Sequence, residues 1–316
     1  MGSSLIWGGW NEVPSASGPL GQTNVGPAAV GNTSGFSVVL VAQGLDRAVW
    51  FNTTRDGQNW SGWKSMGGQT DFALCVRPAG TIGERGGLGA WVWATGTNPP
   101  GHIFYNESDR VQLWGGWNEL GGGGVAIAAP AISWWGNILV PGTDQRIYIK
   151  GWADPDPNSP FTILPPGDLL TTQGLCLMHH GNVPGQYYEV AFAVSTNQKI
   201  YQNIYFTKNV SLPTGQWTEV PGGGVTNVAV AATQLPGTAG TCLFAVGTDN
   251  KIYVNELSPS AFGDVTSWNG WGKLDDVGAT DVALAAVTME PLVYLFAKGL
   301  GDDKRIYFNV GEFPPR

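Results

Sequence analysis

An all-β fold, a six-bladed β-propeller of four-stranded antiparallel blades, is what the sequence predicts, and three observations predict it. An aromatic residue after Val or Ile recurs along the chain, at Trp50, Phe104, Tyr148, Tyr201, Tyr253 and Tyr307, in steps of 54, 44, 53, 52 and 54 residues. A second aromatic column follows the first, at Trp10, Trp63, Trp117, Phe161, Trp217 and Trp271. Six copies of one unit at a near-constant period mark a repeat architecture. Composition agrees: 47 Gly, 21 Pro, 15 Trp and only 13% charged residues describe short strands joined by tight turns. No long apolar segment has the 3.6-residue period of a helix.

The unit is clearest from Thr241 to Val277. Its first strand is expected at Thr226 to Ala232, with counterparts at Thr23 to Val25, Thr70 to Phe72 and Thr280 to Ala286. Small side chains suit the innermost strand, where blades converge on a narrow channel. Cys242 to Val246 is the second strand, Asp249-Asn250 a turn pair, Lys251 to Asn255 the third strand and Trp268 to Leu274 the fourth. A glycine-rich turn such as Pro221 to Gly224 leads to the next blade. The blades fall at about 23–66, 70–120, 124–164, 172–220, 225–274, and 280–310 plus 5–13, in one domain over 1–316. The chain opens on a fourth strand, Leu5 to Val13, and ends on a third, Arg305 to Val310. Pairing the two completes the last blade, closes the ring and removes two open sheet edges.

Two units are irregular. Asp154-Pro155-Asp156-Pro157-Asn158 has the start of a calcium loop, but Pro165 stands where that loop needs a Glu, so a proline-stiffened connection is expected. Ala79 to Gly89 is an insertion between the first two strands of the second blade.

Several function classes are excluded. Net charge is −8 with no basic stripe, which argues against nucleic-acid binding. No apolar run approaches the length of a membrane span. Three widely spaced cysteines, Cys75, Cys176 and Cys242, make neither a disulfide framework nor a zinc motif and read as buried thiols. With only His102, His179 and His180, no histidine metal site is expected, and no cofactor motif is present. Asn32, Asn52, Asn106 and Asn209 open glycosylation sequons, a pointer to a secreted glycoprotein; no signal peptide is visible, and the compartment stays open.

The chemistry has to come from the repeats. The second column is aromatic in all six units and reads as packing between sheets. Another column, Trp7, Trp60, Trp114 and Trp268, stands three residues earlier, and an unbroken strand would turn the two to opposite faces. A half-exposed indole there can stack on the apolar face of a sugar, with Glu12, Glu119 and Glu219 accepting from its hydroxyls. Inter-blade packing is the competing reading of the same column. Asp46, Asp144, Asp249 and Asp303 precede the third strands and are explained as Asx turns.

These segments carry a resemblance. Trp217 to Thr226 and Leu243 to Asn255 are similar to the blades of bacterial fucose-binding propeller lectins, and six is the blade number of the fungal fucose lectins. The resemblance covers nearly the whole chain as a repeat pattern. It implies glycan binding between blades, at repeated shallow aromatic sites, with glycans or glycoconjugates as partners and an oligomer possible.

A second signal competes with it. Trp91, Trp93, Trp134, Trp135 and Trp152 fall outside the columns, and the ends of the first strands differ: Arg77, Trp134-Trp135, His179-His180. Such ends gather at one mouth of the channel, where divergence points to a single asymmetric pocket. Trp134, Trp135, Tyr187 and Met178 would line it, and His179, His180 or Arg77 would act on a substrate. The alternative function is therefore a cofactor-free enzyme of the cyclase or hetero-Diels–Alderase type. Fungal propeller proteins that guide cycloadditions are its fold-level analogy. A protein-interaction platform is a third, plainer reading.

Overall fold

The computed structural model describes residues 5–14, 21–32, 37–78, 89–110, 113–151, 156, 158–183, 186–208, 214–236, 238, 240–257, 266–274 and 277–313. Every regular element among them is a strand, and the strands form six antiparallel meanders. Blade 1 runs Ala28–Asn32, Ser37–Gln43, Ala48–Thr54, Lys64–Gln69. Blade 2 runs Cys75–Pro78, Ala90–Thr97, Pro100–Arg110, Leu113–Glu119. Blade 3 runs Ala131–Ile132, Asn137–Pro141, Ile147–Gly151, Thr162–Ile163. Blade 4 runs Cys176–Val183, Gln186–Val194, Ile200–Lys208, Thr218–Glu219. Blade 5 runs Ala231–Gln234, Thr241–Val246, Ile252–Leu257, Gly272–Lys273. Blade 6 runs Ala285–Met289, Leu292–Lys298, Ile306–Glu312, and its outer strand comes from the other end of the chain, as Ile6–Trp7 and Asn11–Glu12. Trp7 pairs with Gly311 and Glu12 with Tyr307, so the ring is closed by the N-terminal segment.

The first strands line a channel with small residues, among them Ala28, Ala131, Ala231 and Ala285. They begin later than the sequence suggests. Thr226 is not in the strand: its hydroxyl accepts from the Val228 N–H and donates to the Val228 carbonyl, and the strand starts at Ala231. Thr23 and Thr70 turn the chain in the same way, because a buried threonine hydroxyl offers the backbone a local partner that an extended strand does not.

The core is built at the seams. Phe244 of blade 5 shares a cluster with Leu295 of blade 6, and Phe51 of blade 1 shares one with Val92 of blade 2. Thr241–Val246 is buried at every position, which fits a strand covered on both faces. Each fully buried Leu or Phe contributes about 1.5–3 kcal/mol. The cysteines are free, and burial pushes Cys75 up to about 11 and Cys176 to about 12. Asn52 and Asn106 are fully buried, so two of the four sequons are closed to glycosylation in the folded chain. Asn209 lies outside the described residues, as do Trp152 and most of the blade 2 insertion, residues 79–88. Among the described residues no helix is long and apolar enough to cross a membrane, and no group of His, Cys, Asp and Glu could hold a metal ion.

Candidate functional site: the seams between blades

The outer strands decide the site, and they correct the expectation that the two Trp columns face opposite ways. Trp114 lies across from Ser108 and Trp117 across from Asn106, so three residues on the outer strand span two on its neighbour. The extra residue is a bulge at Gly116, whose φ of 100° suits glycine. Its N–H donates to Asn106 Oδ1 at 3.0 Å. Gly9 makes the same bond to Asn309 at 3.0 Å and Gly270 to Asn255 at 2.9 Å, each with positive φ. On blades 2, 5 and 6 a buried asparagine of the third strand is thus a staple for the bulge. Because the bulge absorbs one residue, both Trp columns face the preceding blade.

They do different things there. Trp7 packs edge-on against Phe244 at 5.8 Å, Trp60 against Phe296 at 6.1 Å, Trp114 against Phe51 at 5.4 Å and Trp268 against Phe192 at 6.0 Å. Every one of these contacts crosses a seam, and all four indoles are half-buried. The second column lines open grooves instead. Four grooves of about 280 to 430 Å³ lie where a blade meets its predecessor, and their rings are Trp63, Trp117, Phe161 and Trp271. The aromatic at the start of the third strand supplies the second ring: Trp50, Phe104, Tyr148 and Tyr253 respectively.

Glycine shapes the rest of each groove. A Cβ on Gly224 would sit 2.4 Å from Trp271 Nε1, and one on Gly68 would sit 2.5 Å from Trp117 Nε1. The glycine-rich connections therefore let the backbone lie flat on the ring. The turn aspartates fix the other wall: Asp249 accepts from the Lys251 N–H at 3.1 Å and from the Tyr253 hydroxyl at 3.0 Å. Asp144 with Tyr148 and Asp303 with Tyr307 repeat the bond to the ring.

Beside the rings lies a polar pair that the sequence reading only half found. Glu12, Glu119 and Glu219 stand across from Tyr307, Phe104 and Tyr201. Each meets a basic side chain two residues before that aromatic: Arg305 Nη1 to Glu12 Oε2 at 3.2 Å, His102 Nδ1 to Glu119 Oε1 at 2.6 Å, Lys199 Nζ to Glu219 Oε2 at 2.7 Å. Residues two apart on a strand share a face, so pair and ring look into the same seam. Arg305 also grips Asp303 through Nε at 2.9 Å and Nη2 at 3.1 Å. That contact holds the Asp303 carboxyl down at about 2, while burial, with the hydrogen bond to Asp303, lifts Tyr307 to about 12. The complete pair occurs on blades 2, 4 and 6; the Glu place holds Ser65, Ile163 and Lys273 on blades 1, 3 and 5. The basic residues form a column of their own in the sequence, at 102, 146, 199, 251 and 305, each two places before the third-strand aromatic.

The alternative set at the channel mouth is only partly assembled. His179 lies against Trp134 at 6.1 Å, and Trp135 stacks on Tyr187 at 4.3 Å. His180, one residue on, faces the other way: it is buried, stacks on Tyr188 and meets the Thr241 hydroxyl at 3.0 Å. Met178 is likewise turned into the core shared with blade 5. Arg77 donates through Nη1 to the carbonyls of Ser133 and Trp134 at 3.2 and 3.0 Å. Strand alternation thus separates His180 and Met178 from His179.

No protein-family model matches the chain, and no curated protein matches its sequence. Solved structures do. AofleA from Arthrobotrys oligospora is similar at 10% identity and TM-score 0.63, covering 92% of this chain and 84% of that one. The fucose-specific lectin from Aleuria aurantia is similar at 14% identity and TM-score 0.59, with 93% and 97% covered. The BP39L lectin from Burkholderia pseudomallei is similar at 19% identity and TM-score 0.59, with 96% and 88% covered. The chain has the fold of these propellers. At such identities the likeness is one of fold, and the seam residues above stand on this chain's own geometry.

Proposed function

We propose that this protein is a lectin that binds fucose or a related glycan non-covalently, at repeated shallow grooves between blades. The observation that carries the reading is the recurring set of a basic side chain, a carboxylate and an aromatic ring in one seam, best developed at Arg305, Glu12 and Tyr307. Two adjacent sugar hydroxyls need both a donor and an acceptor; a charged pair offers both in charge-assisted form. The ring's face covers the sugar's apolar C–H patch. This assigns stacking to Trp10, Trp117 and Trp217, the second-column rings of the blades that carry the pair, leaving Trp7, Trp60, Trp114 and Trp268 to hold the seams. The fold neighbours support the sugar class: the Aleuria aurantia protein is described as fucose-specific, and SapL1 lectin, 15% identical at TM-score 0.58, is described in complex with α-methyl fucoside.

A glycan array followed by retention on immobilised fucose tests the reading. Retention that free methyl α-L-fucoside releases, and that falls in Arg305→Ala, is expected. Silence across the array would overturn it.

A further inference from the structure

In a four-stranded meander the second-to-third turns and the blade connections lie at one end of the ring, and the first-to-second turns at the other. The seam grooves therefore open at one end, while the aromatic cluster of blades 3 and 4 stands at the opposite end. There Trp134 is exposed at 39%, with one side against His179. Trp135 stacks on Tyr187, and the Lys208 ammonium sits 5.6 Å from both ring centroids. Arg77 flanks the cluster from blade 2, its guanidinium 5.0 Å over Trp91.

Most side-chain nitrogens of this cluster, those of Arg77, Lys208, Trp134 and Trp135, can only donate. Trp135 Nε1, Arg77 Nε and His179 Nδ1 are buried with no hydrogen-bond partner. Burial keeps the His179 imidazole neutral by lowering its affinity for a proton. The one carboxylate beneath, Glu189, is fully buried and taken by Tyr205 at 2.7 Å, Asn137 at 3.3 Å and the Trp135 N–H at 3.3 Å. Glu107, opposite Trp91, is exposed on the blade 2 side. Among the described residues neither Arg77 nor Lys208 has a carboxylate within salt-bridge distance. A sugar's hydroxyls both give and take, so a surface of donors serves them badly. An acceptor-only group on a flat apolar body suits it: the body on indole, the anion at Lys208.

We propose that the blade 3–4 rim, built by Trp134, Trp135, His179, Tyr187 and Lys208 with Arg77 at its edge, is a second ligand site that binds planar aromatic anions such as aryl carboxylates. Among the described residues the rim of blades 5 and 6 shows no such cluster: the blade 5 turn after Gln234 opens Leu235-Pro236, and the blade 6 turn is Glu290-Pro291.

Fluorescence titration with 1-anilinonaphthalene-8-sulfonate on the full chain tests this. One probe per chain is expected, displaced by 2-naphthoate but not by neutral 2-naphthamide or by methyl α-L-fucoside. Lys208→Ala and Trp134→Ala, both exposed and outside the core, should each weaken the probe roughly ten-fold, the scale of one lost cation–π or charge-assisted contact. Each variant should keep its far-ultraviolet dichroism and its retention on immobilised fucose. Equal displacement by 2-naphthamide, or probe binding untouched in both variants, would overturn the proposal. Displacement by the fucoside would also overturn it, by placing the probe in the seams. Failure of fucose retention in the unaltered protein would sink the lectin reading alone.

Discussion

At the scale of single residues, the two Trp of one outer strand have different work, and substitution separates it. Trp114→Ala removes a ring wedged against Phe51 across a seam and is expected to cost about 3 kcal/mol of stability. Chemical denaturation would show it, with affinity per remaining sugar site unchanged. Trp117→Ala is expected to weaken glycan binding at the blade 1–2 groove that Trp117 lines. If instead Trp114→Ala abolishes binding in a fully folded protein, the sugar-stacking role returns to the first column. The sequence made both columns visible, but it hid which way they face, because the rule of alternating faces fails wherever a bulge adds a residue. The glycine just before the second Trp was the legible sign of it.

Glu189 gives a pH prediction of defined sign. Burial, the largest influence on it, raises its folded-state pKa above the ordinary glutamate value, against the hydrogen bonds from Tyr205 and Asn137. A group raised on folding contributes stability that is full below its unfolded pKa and is lost as pH climbs through the folded value. Glu189→Gln should therefore flatten the loss of melting temperature between mildly acidic and neutral pH. An unchanged slope would show that Glu189 does not titrate across that range. Asp303 has the opposite sign: its contribution is present above the unfolded value near 3.8 and fades as pH falls through about 2. The Asp303–Arg305 contact should thus survive mild acid.

At the scale of elements, the glycine-rich connections set the groove. Gly68→Ala places a methyl 2.5 Å from Trp117 Nε1, so the ring or the backbone must shift. Loss of sugar binding at that seam with only a modest change in melting temperature is expected; an unaltered affinity would mean the groove tolerates a displaced ring. Threonine was misleading at this scale. Thr23, Thr70 and Thr226 have good strand propensity, yet their buried hydroxyls close local turns, and the strands start several residues on. The Asx turns were legible, because their side chain meets a backbone N–H two residues away and needs no distant partner.

At the scale of the whole molecule, closure follows from the phase of the repeats at the two ends. The N-terminal segment covers the edge of Ile306–Glu312 through bonds such as Gly8 N–H to Val310 O at 2.9 Å and Val13 N–H to Ile306 O at 2.8 Å. Removing Leu5 to Val13 would bare that edge and the seam under Trp7. Aggregation on heating and a markedly lower melting temperature are expected; a monomeric, equally stable truncation would contradict the closure. The ring itself was legible because periodicity is a property of the whole chain. The Arg305–Glu12 pair was not, since its members are joined only when the ring closes and stand at opposite ends of the sequence.

The central claim is that the seams, repeated round the ring, are what holds the glycan. Calorimetric titration with methyl α-L-fucoside, or with whichever sugar an array selects, counts the sites directly. The three pairs of a carboxylate with a basic side chain predict about three sugars per chain, falling by one for each of Glu12→Gln, Glu119→Gln and Glu219→Gln. A single site per chain, unmoved by all three substitutions, would contradict it.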